Sequence, residues 1–291
     1  MKRSRAGDLA RLLGYEMKRL SFGVRHTASI DITAACNLRC RHCYFYRDPR
    51  DIADEPSLAV WGERFRVLRA KGVRIVLLLG GEPALRPEVL RLADGTFPFI
   101  DVITNGTVRI EPEFRHRIFL SLDGGPATHD AIRGPGVFAK VVENYTGDPR
   151  VVVHMVLGRG NFRELEEVAR TAAASGFRGM VCGLYAAVPG GDDPEALSAE
   201  ERAAALDEIR RVRASYPSLL RMSDRMLDWY ARPQKLRTCY WGRSVLHLGV
   251  DWDKQLCLGE ADCARCGCLA GAVGSPIRKL LHPAEIFRAM S

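Results

Sequence analysis

The chain has 291 residues, 47% of them hydrophobic, with 43 Lys and Arg against 35 Asp and Glu, a formal charge of +8. This length supports a sizeable buried core, while no apolar run approaches the ~20 residues needed to span a bilayer. The basic residues 1–5 lead into no apolar segment with a small-residue cleavage site, which argues against a secretory signal and points to the cytoplasm.

The first segment, 1–25, carries Leu9, Leu12, Leu13 and Met17 at helical spacing, with Arg11, Lys18 and Arg19 between them. It predicts an amphipathic helix packed on the body of the protein, with a membrane-surface helix as the alternative. From 26 to 234 the pattern alternates. Continuous apolar runs at 27–32, 73–79, 97–103, 118–122, 151–157 and 179–186 read as strands. Helical sequence falls at 58–71, 87–93, 136–145, 163–174 and 198–214. Continuous apolar strands separated by helices mean βαβ units and a parallel sheet covered on both faces. Six such units predict an α/β fold, a partial (β/α)6 barrel, with ligands at the C-terminal ends of the strands. The run Arg210-Arg211-Val212-Arg213 reads as a solvated helix face, since no nucleic-acid-binding motif accompanies the charge. After Pro233 the texture changes. Residues 244–250 and 255–258 read as a β-hairpin around Trp252-Asp253-Lys254, and 277–291 as a closing helix. A module as small as 235–291 has too little core to fold without a metal staple.

Nine cysteines in a chain without an export signal ask for a reason other than disulfides. Cys36, Cys40 and Cys43 form one group, and Cys239, Cys257, Cys263, Cys266 and Cys268 another. Such grouping reads as metal ligation, whereas the solitary Cys182 reads as a small buried hydrophobe. The first group follows a strand, in the text Asp31-Ile32-Thr33-Ala34-Ala35-Cys36-Asn37-Leu38-Arg39-Cys40-Arg41-His42-Cys43. A structural zinc site closes its tetrahedron with four ligands. A cubane held by three thiolates keeps one iron open; a zinc site completed by a distant residue is the alternative. Further strand ends carry Gly80-Gly81-Glu82-Pro83, Thr104-Asn105-Gly106 and Ser121-Leu122-Asp123-Gly124, and Asn161 follows the fifth strand. Glycines at 80 and 81 let the backbone approach a ligand closely.

The C-x3-C-x2-C spacing, with His42 before its last cysteine, resembles the radical S-adenosylmethionine (SAM) superfamily. The strand-end motifs and His129-Asp130-Ala131-Ile132-Arg133-Gly134 resemble the family in order, over about residues 27 to 187. The resemblance implies a [4Fe–4S] cluster on Cys36, Cys40 and Cys43 whose open iron chelates SAM. It implies SAM contacts from His42, Gly80, Gly81, Glu82, Pro83, Thr104, Asn105, Ser121, Asp123 and Asn161. The second cysteine group is similar to the family's SPASM/Twitch appendage. That implies a second, auxiliary [4Fe–4S] cluster on Cys239, Cys257, Cys263 and Cys266, with Cys268 able to replace Cys266. A structural zinc ribbon is the alternative reading of those thiolates.

The implied chemistry is reductive cleavage of SAM and hydrogen abstraction from an unactivated C–H bond, fed by a flavodoxin- or ferredoxin-type donor docking on the basic surface. Only about 25 residues precede the first strand, which favours a small-molecule substrate. Maturation of a ribosomally made peptide is the alternative, and a non-catalytic electron carrier a third reading. Tyr185, at the end of the last strand, reads first as core packing and second as a pocket residue.

Overall fold

Each of the six apolar runs forms a strand: β1 (Thr27–Thr33), β2 (Ile75–Gly80), β3 (Phe99–Thr104), β4 (Arg117–Ser121), β5 (Val151–Leu157) and β6 (Gly179–Leu184). A seventh, β7 (Val245–Leu248), comes from the cysteine-rich C-terminal region. The structure, a computed structural model, describes residues 5–23, 25–43, 45, 55–187, 193–234, 239–253 and 262–273. The strands run parallel in the order β6-β5-β4-β3-β2-β1-β7, an open sheet and so an incomplete barrel.

Helices close the outer face: α2 (Leu58–Ala70), α3 (Pro87–Thr96), α4 (Pro126–Arg133), α5 (Val137–Tyr145), α6 (Leu165–Ala174) and α7 (Ala199–Ser215). Their sequences dictate them. In α2, Ser57 caps the first turn by accepting from Val60 N, and Trp61, Phe65 and Leu68 recur on one buried face. In α7, Ser198 and Glu201 form a capping box ahead of the buried Ala205, Leu206, Ile209 and Val212. Burying each large apolar side chain in this layer stabilises the fold by about 1.5–3 kcal/mol.

Strand alternation sorts the sheet's two faces. Val76, Leu78, Ile100, Val102, Ile118, Leu120, Val153 and Met155 are fully or almost fully buried against the helices. Their neighbours Leu77, Leu79, Ile103, Phe119, His154 and Val156 are half-buried and face the lumen of the barrel. Parallel register sets these lumen residues side by side, for instance Ser121 against His154 and Val156 against Gly183.

Two expectations change. The segment 244–250 is not confined to an appendage. Ser244 ends the short α9 (Tyr240–Ser244), and β7 pairs with β1, from Thr27 beside Val245 to Ile30 beside Leu248. The reversal at Trp252 is present, with Gly249 N donating to Asp253 O at 3.0 Å, but 255–258 and 277–291 lie outside the described residues. The periodicity at 1–25 does form a helix, α1 (Arg5–Phe22), with Leu12 and Leu13 half-buried, yet Met17 is 58% exposed and the fully buried residue is Glu16. Glu16 accepts from the Tyr240 hydroxyl at 2.6 Å and sits 3.0 Å from His26 Nε2. This polar clasp joins α1, the foot of β1 and α9, and hydrophobic periodicity carries no sign of it. Helices α4, α8 (Asp224–Tyr230) and α10 (Leu269–Val273) were not legible as periodic segments, because seven or eight residues, or five, give too few turns for a period.

Arg210 and Arg211 do lie on an exposed face, paired with Asp207, Glu208 and Glu166. Cys182 is fully buried in the core and Tyr185 packs on Ala187 and Ala196. No helix among the described residues is long and apolar enough to cross a membrane.

Candidate functional site

The first cysteine group occupies the loop leaving β1, at the C-terminal edge of the sheet. Side chains from elsewhere in the chain fix that loop. Glu55 Oε1 accepts from Thr33 Oγ1 at 2.8 Å, Ala34 N at 2.7 Å and Ala35 N at 3.1 Å, while its Oε2 receives Arg86 Nη1 at 2.8 Å. Gly81 N donates to Thr33 O and Glu82 N to Ala35 O, both at 2.8 Å. A side chain at Gly80 would collide with Thr33 O, and one at Gly81 with Ala35 O. Gly80 also has φ +121°, a conformation L side chains rarely adopt. The glycines are thus required for close approach to the cysteine loop itself.

Glu82 is 1% exposed and spans two strand ends. Its oxygens accept from Thr104 Oγ1 at 2.6 Å, Asn105 N at 2.6 Å and Ala84 N at 2.8 Å. Burial pushes its carboxyl above the usual range against those three donors. Pro83, also buried, opens the short turn that follows. Asn105 in turn directs Nδ2 at Asn37 Oδ1 (3.0 Å) and at Cys36 Sγ (3.7 Å), where Leu38 N also points (3.4 Å).

Asp123, beyond β4, organises the opposite side. It is fully buried; Arg133 Nε and Nη2 both reach its Oδ2 at 2.6 Å, His42 Nε2 lies at 3.3 Å, and Val156 N donates to Oδ1 at 3.1 Å. Burial opposes ionisation, but Arg133 and His42 hold Asp123 far below the usual carboxylate range. The remaining Arg133 nitrogen, Nη1, lies 3.9 Å from Cys40 Sγ. Asp123 N donates to His129 Nδ1 at 3.1 Å, and burial lowers His129 to about 4, so this imidazole is neutral. Asn161 closes the corner, with Nδ2 donating to Asp123 O and Val156 O at 2.9 Å and Oδ1 accepting from Gly158 N at 2.8 Å. Ser121, 7% exposed, ends β4 on the lumen side.

Cys36, Cys40 and Cys43 are thus half-buried in one loop, with N–H donors aimed at two of the sulfurs. Burial raises the Cys36 and Cys40 thiols, and each is raised further by the neighbouring cysteines of the loop. Donors at sulfur suit the thiolate form that ligates metal. Three thiols in one loop are the donor type an iron–sulfur cluster takes, although among the described residues no three His, Cys, Asp or Glu side chains are grouped so as to hold a metal ion. His42, Glu82, Thr104, Asn105, Asp123 and Asn161 all line the same end of the sheet. Their side chains are largely spent on one another, and they set the loop geometry whatever else they contact. Glu55 was invisible in the sequence: an acid beside Asp54 and Pro56 carries no local signal.

Cys239, Cys263, Cys266 and Cys268 form a second group; Cys257 lies outside the described residues. Burial raises Cys239 and pushes Cys266 up to about 12, and both also feel Cys263 and Cys268. Cys268 N points at Cys266 Sγ at 3.4 Å. The intervening Gly267 is pressed against β6, its O accepting from Leu184 N at 2.9 Å where a side chain would meet Leu184 O. Arg202 Nη1 and Nη2 hold Arg265 O and Cys266 O at 3.0 and 2.8 Å. The choice between Cys266 and Cys268 is not forced.

The family model described as the Radical SAM superfamily matches residues 30–203. Mycofactocin maturase MftC of Mycobacterium tuberculosis is 34% identical over 166 residues, which cover 50% of this chain and 41% of that protein. The AdoMet-dependent heme synthase of Methanosarcina barkeri is 29% identical over 223 residues, 70% of this chain and 57% of that one. The chain thus spans between about two fifths and three fifths of the length of these curated relatives. Among solved structures, Streptococcus suis SuiB bound to precursor peptide SuiA superposes with a TM-score of 0.63 at 13% identity, over 93% of this chain and 66% of that one.

Proposed function

Because this chain belongs to the radical SAM superfamily, we propose that it cleaves SAM reductively at Cys36, Cys40 and Cys43 to mature a peptide. The carrying observation is the three-thiol loop at the C-terminal ends of parallel strands, bracketed by Glu55, Glu82 and Asp123. Members of the family use a [4Fe–4S] cluster with SAM. Bound there, the pair would supply one-electron cleavage of the S–C5′ bond and a 5′-deoxyadenosyl radical that removes a hydrogen atom from substrate.

This chain's own residues orient the loop. Glu55 and Gly81 seat its start, Asn105 and Leu38 N direct N–H groups at Cys36, and Arg133 directs one at Cys40. Asp123 keeps Arg133 and His42 in place. Buried N–H groups at sulfur favour added negative charge, as reduction requires. Cys239, Cys263, Cys266 and Cys268, with Cys257, would hold an auxiliary [4Fe–4S] cluster that accepts the substrate's electron.

A peptide substrate is supported by the maturase MftC and by the fold shared with peptide-bound SuiB. The sequence-based preference for a small molecule rested on the short segment before β1, and a chain spanning part of its relatives gives that argument no weight. The heme synthase similarity keeps a tetrapyrrole as the second reading. The proposed setting is the cytoplasm, with a flavodoxin- or ferredoxin-type donor. Anaerobically reconstituted protein, reduced with dithionite and given SAM, should yield 5′-deoxyadenosine; none from fully loaded protein would overturn the proposal.

A further inference from the structure

Helix α1 has two sides, and the sheet takes one of them. Tyr15 packs edge-on against Phe99, with ring centroids 6.5 Å apart. Glu16 reaches His26 and Tyr240, and Arg19 Nη1 donates to Ser244 Oγ at 3.4 Å. Phe99 opens β3, while His26 and Ser244 stand just before β1 and β7. The helix therefore lies across the N-terminal ends of these strands, opposite the first cysteine loop. On its other side Ala10, Leu13, Gly14, Met17 and Leu20 recur at steps of three and four residues, a stripe about 120° wide at about 100° per residue. Leu13 is half-buried; the other four are exposed, Met17 by 58% and Leu20 by 59%. A side chain at Gly14 would meet nothing within 4 Å.

Cations edge this stripe. Arg11 and Lys18 are exposed on one flank, with Arg11 3.6 Å from Asp8, and Lys2 and Arg3 precede the helix in the sequence. Loops entering the strands at the same end carry exposed Lys71, Arg115, Arg178 and Arg243. They stand against the exposed acids Asp94, Glu113 and Glu143, of which Asp94 is paired with His116 at 3.0 Å. A second copy of the chain would set these cations against one another. Five stripe positions, only two of them large and well exposed, also fall far short of the about 800 Å² per partner that a standard protein interface buries. An anionic bilayer suits both features, since its acyl boundary takes apolar side chains and its headgroups take cations.

We propose that the exposed stripe of α1 docks this protein on an anionic lipid surface, with Met17 and Leu20 entering the headgroup–acyl boundary and Lys18 at the phosphates. The helix then lies in the plane of the surface, because its other side is held by the sheet. The end of the sheet that carries the first cysteine loop faces away from the lipid. Two large side chains give only weak, reversible binding, so the cations are needed and salt should release the protein. The docking is independent of the radical chemistry.

The test floats purified protein with vesicles of phosphatidylcholine alone, and of phosphatidylcholine with an equal part of phosphatidylglycerol. Binding should be about tenfold stronger on the anionic vesicles and should fall as salt is raised. Met17→Ser with Leu20→Ser should weaken it by about tenfold or more, and Lys18→Gln by about fivefold. All three side chains are exposed, so both variants should melt with the parent; should one melt lower, the parent's preference for anionic vesicles and its release by salt decide. No flotation of the parent on anionic vesicles, equal flotation on both kinds, or binding indifferent to salt would each overturn the inference. So would variants that fold and bind like the parent, or a parent dimer in sedimentation that Met17→Ser with Leu20→Ser splits, which would make a second copy the occupant.

Discussion

The two cysteine groups are held in different ways. Around Cys36, Cys40 and Cys43, side chains from five separate segments converge: Glu55, Glu82, Asn105, Asp123 and Arg133. Around Cys239, Cys263, Cys266 and Cys268 the described ties are fewer and go mainly to backbone, from Arg202 and from Leu184 N. The first loop is tied to side chains of the barrel whatever its thiols bind. The second is built from short turns with little core of its own, so its order should depend on what its thiolates bind.

The largest effect that would break this comparison is loss of the first centre. Replacing Cys36, Cys40 and Cys43 with Ala should abolish 5′-deoxyadenosine formation and remove about four of about eight irons, while circular dichroism stays that of a folded barrel. Unfolding of the triple variant would contradict the claim that the barrel, not the cluster, holds that loop. The matching change, Cys263→Ala with Cys266→Ala, should also remove about four irons but expose the second region to proteolysis. One zinc with about four irons in native protein would replace the auxiliary cluster with a zinc site.

Asp123→Asn should destabilise the fold by about 3–5 kcal/mol, because Arg133 is left charged and buried without its partner. Urea unfolding measures this, and Asp123→Asn with Arg133→Gln should recover part of the loss. Linkage gives a pH counterpart. Asp123 is depressed in the folded state, so its contribution is present above the unfolded value near ~4 and fades as pH falls below it. His129 and His154, lowered to about 4 from an unfolded value near 6.5, likewise stabilise above pH ~6.5 and lose that contribution between there and pH ~4. Acid lability should thus begin near pH 6. A flat stability curve down to pH 4.5 would show that these histidines take up protons as readily in the folded state as in the unfolded one.

A smaller effect sharpens the role of the glycines. Gly81→Ala should cost about 1–3 kcal/mol as the added methyl pushes on Ala35, and should slow cluster loading at Cys36 more than at the second group. Smallest is Glu16→Gln, which weakens the clasp of α1 on His26 and Tyr240. It should lower the melting temperature by a few degrees for ~1 kcal/mol and leave the iron content alone.

The sequence by itself determined the six strands of the barrel and the grouping of its cysteines. Apolar runs such as 151–157 have period and length enough to be read locally, and thiols three or four residues apart must share a loop. The chain order of the strand-end motifs also placed Glu82, Asn105 and Asp123 at one edge of the sheet. Only the tertiary structure decided how that edge is spent. Glu55 reaches Thr33, Ala34 and Ala35, and Arg133 reaches Asp123 and Cys40, because parallel crossovers bring together residues that are distant along the chain. The same is true of β7, whose four residues are too few to announce a sheet but pair with β1 once the barrel exists. Period and spacing are local properties of a chain, whereas burial and hydrogen-bond partnership are set by long-range packing.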